Sequence, residues 1–342
     1  MKVLFVGSLW EGSTALHRLK AFKKIRDIMV VAMDAKTHLK RRPFIDRFRH
    51  RLRCPADRNR INEELLDIAS RTQPDWIIVD NVKNLTQPTL FQIKCHTGSK
   101  LAYYSHEDLM AWQHRTRQLD ACWAEWDVFF TTKRFNVAEL TAIGMRSPIL
   151  MGNSFNPEVH RPMSRKEVGK EYEAFDAVFI GTCETRRRHS INRLAESGLQ
   201  IVIYGGGWHP RYIHPSITLR PPVYEKAYAQ ALHTGKIGLG FLRKASRDLI
   251  TTRSFEITAT KRAMLAEKTA EHDSAFTDGK EYIGFSCDEE LIKRAHWLLQ
   301  NTKIRNSVAQ SGWERCQVSR YDTNDRMGYI IQCLQRYSQG LM

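Results

Sequence analysis

The feature that most constrains the fold is a series of short, continuous apolar runs separated by polar segments of helix length. They are KVLFVG at 2–7, DIMVVAMD at 27–34, WIIVD at 76–80, KLAYYS at 100–105 and DVFFTT at 127–132. A run of this kind, without alternation, is a strand buried on both faces, and parallel strands need a crossover helix between them. The first half therefore predicts a doubly wound sheet. After Gly152 the pattern stops in NSFNPEVHRPMSRKE, where proline, asparagine and charge break both periodicities. It then resumes as DAVFIG at 176–181, LQIVIYGGG at 199–207, KIGLGF at 236–241, RAMLAE at 262–267 and YIGFS at 282–286. The chain closes in helical text, CDEELIKRAHWLLQN, NSVAQSGWERCQ and DRMGYIIQCLQRY, with apolar residues at intervals of three and four.

The class is therefore α/β, with two doubly wound Rossmann-like domains facing a cleft. The boundaries read 1–153, 154–320, and a C-terminal helix over 321–342 expected to pack back on the first domain. Open parallel sheets bind ligands beyond the carboxyl ends of their strands, so the loops there are the places to look.

Composition narrows the setting. Hydrophobic residues at 42% and charged residues at 26% fit a globular chain rather than a disordered one. The seven cysteines show no CxxC pair, which argues against a disulfide framework or a zinc site and for a reducing compartment. MKVLFVGSLWEG is too short an apolar run for a signal peptide, and no stretch approaches the length of a membrane span, so a cytoplasmic location is expected. The formal charge of +16 is concentrated in KTHLKRRPFIDRFRHRLR at 36–53, eight basic residues against one acid with apolar residues interleaved. Such a stretch suits an anionic membrane surface, a nucleic acid, an acidic acceptor, or simply water.

Five loops carry candidate chemistry. GSLWEGST offers Gly7, Gly12 and Ser13 between strand and helix, either to meet an anion or to permit tight packing; it is neither a P-loop nor GxGxxG. YSHEDL sets His106, Glu107 and Asp108 at a strand end, as a general base or hydroxyl clamp, or as a capped helix start. VFIGTCETRRR brings Gly181 and then Arg187 beside two further arginines, a fork suited to phosphate. Tyr204 and Gly205 open YGGG, where a flat base or only a tight turn fits. In RKASRDLITTRSFEI, the hydroxyls of Thr251, Thr252 and Ser254, with Arg253, form a candidate diphosphate cradle. Glu256, one turn in, is placed to accept hydrogen bonds from the two hydroxyls of a ribose. The capping-box position three residues before it is Arg253, so helix capping alone does not account for this carboxylate. No DxD, HExxH or GxSxG spacing exists, which weighs against those metal and serine chemistries.

The order VFIGTCETRR, QIVIYGGGW, AQALHTGKIGLGF, RSFEITATKRAMLAE, FTDGKEYIGFSCDEELIKRAHWLL and SGWERC resembles the C-terminal half of GT-B glycosyltransferases, in particular the CgeB-like (spore-maturation) group with its glycosyltransferase family 4 relatives. The likeness is clearest over 176–320 and weaker in the first half, where SHED and the hinge text carry it. It implies an acceptor-binding first domain and a nucleotide-sugar-binding second domain, with transfer of a sugar from a nucleoside-diphosphate sugar to a glycan, lipid-linked or protein acceptor. The family's Glu-x7-Glu pair would fall on Asp248 and Glu256, with Asp in place of the first Glu. With no DxD spacing the transfer is expected to be metal-independent, with no cofactor beyond the nucleotide sugar as co-substrate. Without a metal, the leaving diphosphate falls to Arg187 and Arg253, with Lys244 behind them, and Asp108 is the expected acceptor-side carboxylate. Peripheral contact of 36–53 with the inner face of an anionic membrane is compatible with this, and nucleic acid is disfavoured. The competing readings are a basic nucleic-acid or anionic-surface binding protein, and a nucleotide-sugar epimerase on the same fold.

Overall fold

The computed structural model describes residues 1–35, 48, 49, 51–57 and 59–341. The basic stretch at 36–53 therefore lies mostly outside the described residues. The chain divides into two compact units, Met1–Gly152 with Lys244–Arg247 and Thr323–Met342, and Asn153–Arg243 with Asp248–Asp322.

The first unit holds a six-stranded sheet of β1 (Lys2–Gly7), β2 (Met29–Asp34), β3 (Trp76–Asp80), β4 (Lys100–Ser105), β5 (Val128–Thr131) and β6 (Pro148–Leu150). Its order is β2-β1-β3-β4-β5-β6, every pair parallel. Alternate residues feed two cores: Leu4, Val6, Ile77, Val79, Leu101 and Tyr103 enter one, and Val3, Phe5, Trp76, Ile78, Ala102 and Tyr104 enter the other. Hence these strands show no polar alternation in the sequence. The helix Thr323–Ser338 covers the second face through Met327, Ile330, Ile331 and Leu334, and Trp76 Nε1 donates to Ser338 Oγ at 3.1 Å.

The second unit repeats the plan with β7 (Phe175–Ile180), β8 (Ile201–Tyr204), β9 (Ile217–Arg220), β10 (Gly235–Gly240), β11 (Ala263–Glu267) and β12 (Ile283–Phe285). The parallel order β12-β11-β10-β7-β8-β9 reverses direction between β7 and β10, so the switch point of this sheet lies at their carboxyl ends. Glycines in β10 let helices approach the sheet: a Cβ on Gly238 would lie 2.6 Å from Ile257 Cγ2 of the helix Thr252–Ala259. The short edge strands β6 and β9 are absent from the sequence reading, because a few half-exposed residues beside prolines give no apolar run.

All seven cysteines are free thiols. No helix among the described residues is long and apolar enough to cross a membrane.

Candidate functional site

In the second unit the loops after β7, β8 and β10 meet at the switch point. The loop backbones touch there: Gly181 N donates to Tyr204 O at 2.8 Å, Cys183 N to Gly206 O at 3.0 Å, and Trp208 Nε1 to Gly181 O at 2.8 Å. A Cβ on Gly205 would lie 2.0 Å from the Gly181 carbonyl oxygen, so only glycine fits that position. Tyr204 is buried at the end of β8.

Two arginines straddle the switch point. Arg187 donates from Nη1 to Thr182 O and from Nη2 to Phe241 O, each at 3.3 Å, joining the loops that follow β7 and β10. Arg253, in the first turn of the helix Thr252–Ala259, donates through Nη1 to Ile180 O. Arg187 keeps a buried Nε–H with no hydrogen-bond acceptor, and the buried Nε of Arg253 meets only Glu256 Oε2, at the long distance of 3.4 Å. Buried donors are ordinarily satisfied, so an orphan on Arg187 beside a second, loosely paired guanidinium leaves positive charge in this loop cluster for an anion to meet. Burial lowers the Arg187 pKa; Glu184 opposes that, and Arg243 and Arg253 reinforce it. Three guanidinium groups therefore share one electrostatic neighbourhood, in which Glu184 accepts from Arg243 Nε at 2.9 Å and lies 3.5 Å from Arg187.

Glu256 is the fifth residue of its helix and is 8% exposed. Tyr228 donates its hydroxyl to Oε2, Arg253 Nε lies 3.4 Å from the same oxygen, and His160 Nε2 is 3.8 Å from Oε1. Arg253 also stacks over the Tyr228 ring at 5.1 Å. The carboxylate is thus fixed by a phenol and two bases beside the arginine cluster, a setting in which a charged acceptor can meet vicinal hydroxyls. Asp248 is buried within the electrostatic reach of Arg187.

The diphosphate cradle drawn from sequence changes. Ser254 is buried and its hydroxyl lies 2.7 Å from His272 Nε2, so it serves the interior instead of the loop. Thr252 Oγ1 donates to Asn153 Oδ1 at 3.3 Å, Thr251 forms the helix cap without a side-chain bond, and Lys244 groups with the first unit.

In the first unit the acidic loop after β4 is a turn rather than a helix start, with Ser105 Oγ accepting from Glu107 N at 3.1 Å. Asp108 is fully buried and fully used. Its oxygens accept from Arg247 Nε at 2.6 Å and Nη2 at 2.8 Å, from Asn136 Nδ2 at 3.0 Å and from Met110 N at 3.1 Å. Burial opposes its charge, but the bonds from Arg247 and Asn136 outweigh it and hold the carboxyl below its ordinary range. Asp108, expected to receive an acceptor proton, here has Oδ1 taken by three donors and Oδ2 by Arg247, an arrangement that anchors this loop.

Glu107 accepts from Lys83, and from Asn81 Nδ2 at 3.2 Å, with His114 Nδ1 also 3.2 Å away. Burial opposes its ionisation, and His114 and Lys83 override it, so its carboxyl too stays well below the usual range. His106 is different. Its burial pushes the imidazole down to about 4, and its Nδ1 is buried without a partner. It is the neutral base of the trio at physiological pH.

The glycine loop after β1 serves packing. Ser13 Oγ caps the helix Thr14–Phe22 by accepting from Leu16 N at 3.1 Å, and a Cβ on Gly7 would meet Ala15 and Asp80 at 3.2 and 3.3 Å. Gly12 adopts φ 88°. Beside them Arg18 pairs with Asp80 through Nε at 2.6 Å and Nη2 at 3.0 Å.

Sequence reading missed Tyr228, His160, Arg243 and Glu184 in the second unit, and Arg247, Lys83 and His114 in the first. Glu184, Arg243, Arg247 and His160 stand inside stretches quoted above without being singled out, and Tyr228, Lys83 and His114 lie outside them. Among the described residues, no group of three His, Cys, Asp or Glu side chains is placed to hold a metal ion.

Residues 186–332 match a family model described as glycosyl transferase-like. Known structures share the fold across nearly the whole chain. The Anabaena protein HepE in complex with UDP-glucose matches with TM-score 0.68 and 14% identity, covering 98% of this chain and 99% of that one. An alpha-glucosyltransferase in complex with UDP and a 13-mer DNA gives 0.69 and 12%, covering 98% and 99%. UDP-GlcNAc 2-epimerase from Neisseria meningitidis, bound to UDP-GlcNAc, gives 0.61 and 14%, covering 98% and 100%. No curated protein matches the sequence. The fold is GT-B, and within it residues 186–332 carry the likeness to the glycosyl transferase-like family model.

Proposed function

We propose that the protein transfers a hexose from a UDP-sugar to a hydroxyl of a glycan, lipid-linked or protein acceptor, without a metal ion. The observation that carries this reading is the cluster at the switch point of the second sheet. There Glu256 is held by Tyr228 and, at 3.4 Å, by Arg253, and Arg187 keeps an unsatisfied buried N–H. Glu256 accepts the two ribose hydroxyls. The base lies on the loop of Tyr204 and Gly205, against backbone that no side chain obstructs. The diphosphate meets the guanidinium groups of Arg187 and Arg253, with Arg243 and the amides at the start of the helix Thr252–Ala259 adding to the field. That UDP or UDP-sugars are bound in three of the similar structures supports uridine as the base.

In the transfer step the bond between the anomeric carbon and the diphosphate oxygen breaks, and negative charge grows on the leaving phosphate. Preorganised guanidinium groups aimed at that charge lower the barrier more than any single proton transfer. The acceptor hydroxyl forms the new bond to the anomeric carbon and releases its proton to solvent. Within GT-B enzymes the RSFEITATKRAMLAE text supports placement in the CgeB-like group. The free cysteines support a reducing, cytoplasmic setting. Phe48 and Leu52, 63% and 44% exposed beside the basic stretch, support peripheral contact with an anionic membrane surface where a lipid-linked acceptor would lie.

The test is a thermal-shift panel of UDP, GDP, ADP, CMP and dTDP with EDTA present, on the parent and on Glu256→Gln. A ligand at 100 times its Kd stabilises by about 2.7 kcal/mol, so UDP is expected to raise the Tm of the parent and not of the variant. Equal responses in the two proteins exclude Glu256 as the ribose ligand. Product analysis without acceptor separates transfer from epimerisation, since an altered free nucleotide sugar would replace transfer by the latter. Charge reversal at Arg41 and Arg42 is expected to raise the acceptor KM more than the donor KM.

A further inference from the structure

The second unit contains a cavity at the opposite end of its sheet from the switch point. Its volume is about 510 Å³. Lys236, the second residue of β10, and Ala263, the first residue of β11, line it, as do Tyr172 and Glu173 just before β7. β10 has six residues and spans about 20 Å, so an occupant of this cavity is distinct from a ligand at the carboxyl ends.

The lining is strongly basic. Lys236, Lys261, Arg262 and Arg305 face it against one carboxylate, Glu173. Two of the four cations are accounted for: Lys236 bonds Asp176 at 2.9 Å, and Arg262 bonds Glu173 at 2.6 Å. The other two are not. Arg305 is 8% exposed, and its Nη1 donates only to the carbonyls of Leu298 and Leu299, at 3.2 and 3.4 Å. Among the described residues no carboxylate lies within ion-pair distance of it. Lys261 sits 5.7 Å from the Trp313 ring and likewise lacks a carboxylate among the described residues. A buried guanidinium without an anion is costly and uncommon, because the desolvated charge has nothing to offset it. The helix Thr302–Val318 starts at the same cavity with no side-chain cap and no acid in its first turn, which adds positive potential without neutralising it. Asn306 and Gln310 from the same helix bring neutral amides to the wall.

We propose that this cavity binds a small phosphorylated polyol or sugar. The phosphate completes Arg305 and Lys261, and the amide of Asn306 and the carbonyl of Gln310, whose Nε2 already donates to Glu314 Oε1 at 2.6 Å, take hydroxyl groups. Two charges and a helix terminus suit a dianion, and the volume falls within the range of about 300–1,000 Å³ usual for small-molecule sites.

The experiment is isothermal titration of the full chain in a chloride buffer of fixed ionic strength, with glucose 6-phosphate, inorganic phosphate and glucose as probes. The proteins are the parent, Lys261→Glu, Arg305→Met and Arg253→Gln. Glucose 6-phosphate is expected to bind the parent more tightly than inorganic phosphate does, and glucose not at all. Lys261→Glu is expected to weaken binding at least about tenfold, as loss of a charge-assisted bond implies, and Arg253→Gln to leave it unchanged. Arg305 also ties the carbonyls of Leu298 and Leu299, so its variant is read only beside the half-exposed Lys261, whose replacement spares the interior. Unchanged binding in Lys261→Glu, or loss in Arg253→Gln, overturns the assignment. Equal affinity for inorganic phosphate and glucose 6-phosphate overturns the sugar part of it.

Discussion

Replacing Asp108 by alanine separates a structural carboxylate from a catalytic one. The side chain is fully buried and accepts four hydrogen bonds, two of them from Arg247. Breaking a buried ion pair costs about 3–5 kcal/mol when the partner is left stranded. Arg247 is not stranded: its side chain is 46% exposed and it keeps Glu139 at 2.7 and 3.0 Å. Asn136 also keeps Glu139, at 2.7 Å, so the amide of Met110 is the group that loses its acceptor. The expected loss is therefore about 2–3 kcal/mol, below the full figure for a broken buried pair. At about 2–4 °C per kcal/mol for a unit of this size, the Tm falls by about 4–12 °C. Asp108→Asn retains one acceptor oxygen and loses less. The pH dependence follows from the sign of the shift. A carboxyl whose folded pKa is depressed contributes stability above its unfolded value near 4, and the contribution disappears as pH falls through the lower folded value. The assay is thermal melting of parent, alanine and asparagine variants at pH 7 and pH 3, with kcat measured at a temperature where all three are folded. A general base would give the reverse pattern, a drop in kcat of about a hundredfold or more at unchanged Tm, and that result refutes the structural assignment.

Tyr228→Phe removes the phenolic donor to Glu256, and donor affinity is expected to fall about three- to tenfold in titration calorimetry, less than in Glu256→Gln. Gly205→Ala forces a methyl to 2.0 Å from a backbone oxygen; it is expected to cost about 1–3 kcal/mol in denaturant melts and to abolish the nucleotide-induced Tm shift. Buried His233 and His272, lowered to about 4 by burial, must gain protons on unfolding, so stability is full above about pH 6.5 and declines as pH falls towards 4, by on the order of 3 kcal/mol each. A flat melting profile across that window would show that neither imidazole is kept neutral.

Much of the fold was legible because a parallel strand buried on both faces announces itself as an unbroken apolar run. KVLFVG, WIIVD and KLAYYS coincide with β1, β3 and β4 residue for residue. β6 and β9 were not legible, since an edge strand of three or four residues is defined by its neighbour's hydrogen bonds rather than by its own composition. The site divides similarly. Loops at strand ends could be found, because a sheet's switch point follows from strand order, and Gly181, Arg187, Arg253 and Glu256 lie there. Which polar groups already hold partners could not be found. Ser254 looks like a phosphate ligand until His272 takes its hydroxyl, and Asp108 looks like a base until Arg247, far away in sequence, takes both its oxygens.

Glu256 shows why the distinction matters. Every residue from Ser254 to Ala259 is buried, and Gly238 lets this helix lie directly on β10. Putting a carboxylate in such a helix is unfavourable unless its charge is met, and dipole arguments do not meet it, because the fifth helical residue is beyond the first turn where that field is strong. Tyr228 and Arg253 meet it instead. Yet Arg253 Nε stands 3.4 Å from the carboxylate, a loose pairing, and Arg187 nearby keeps an unsatisfied Nε–H. A purely structural ion pair would be expected to satisfy its donors internally, as Arg18 and Asp80 do in the first unit with two short bonds. Arg253 meets Glu256 only at 3.4 Å, so of the two buried pairs it is the one whose geometry a further ligand can rearrange at little cost, as the proposed donor site requires.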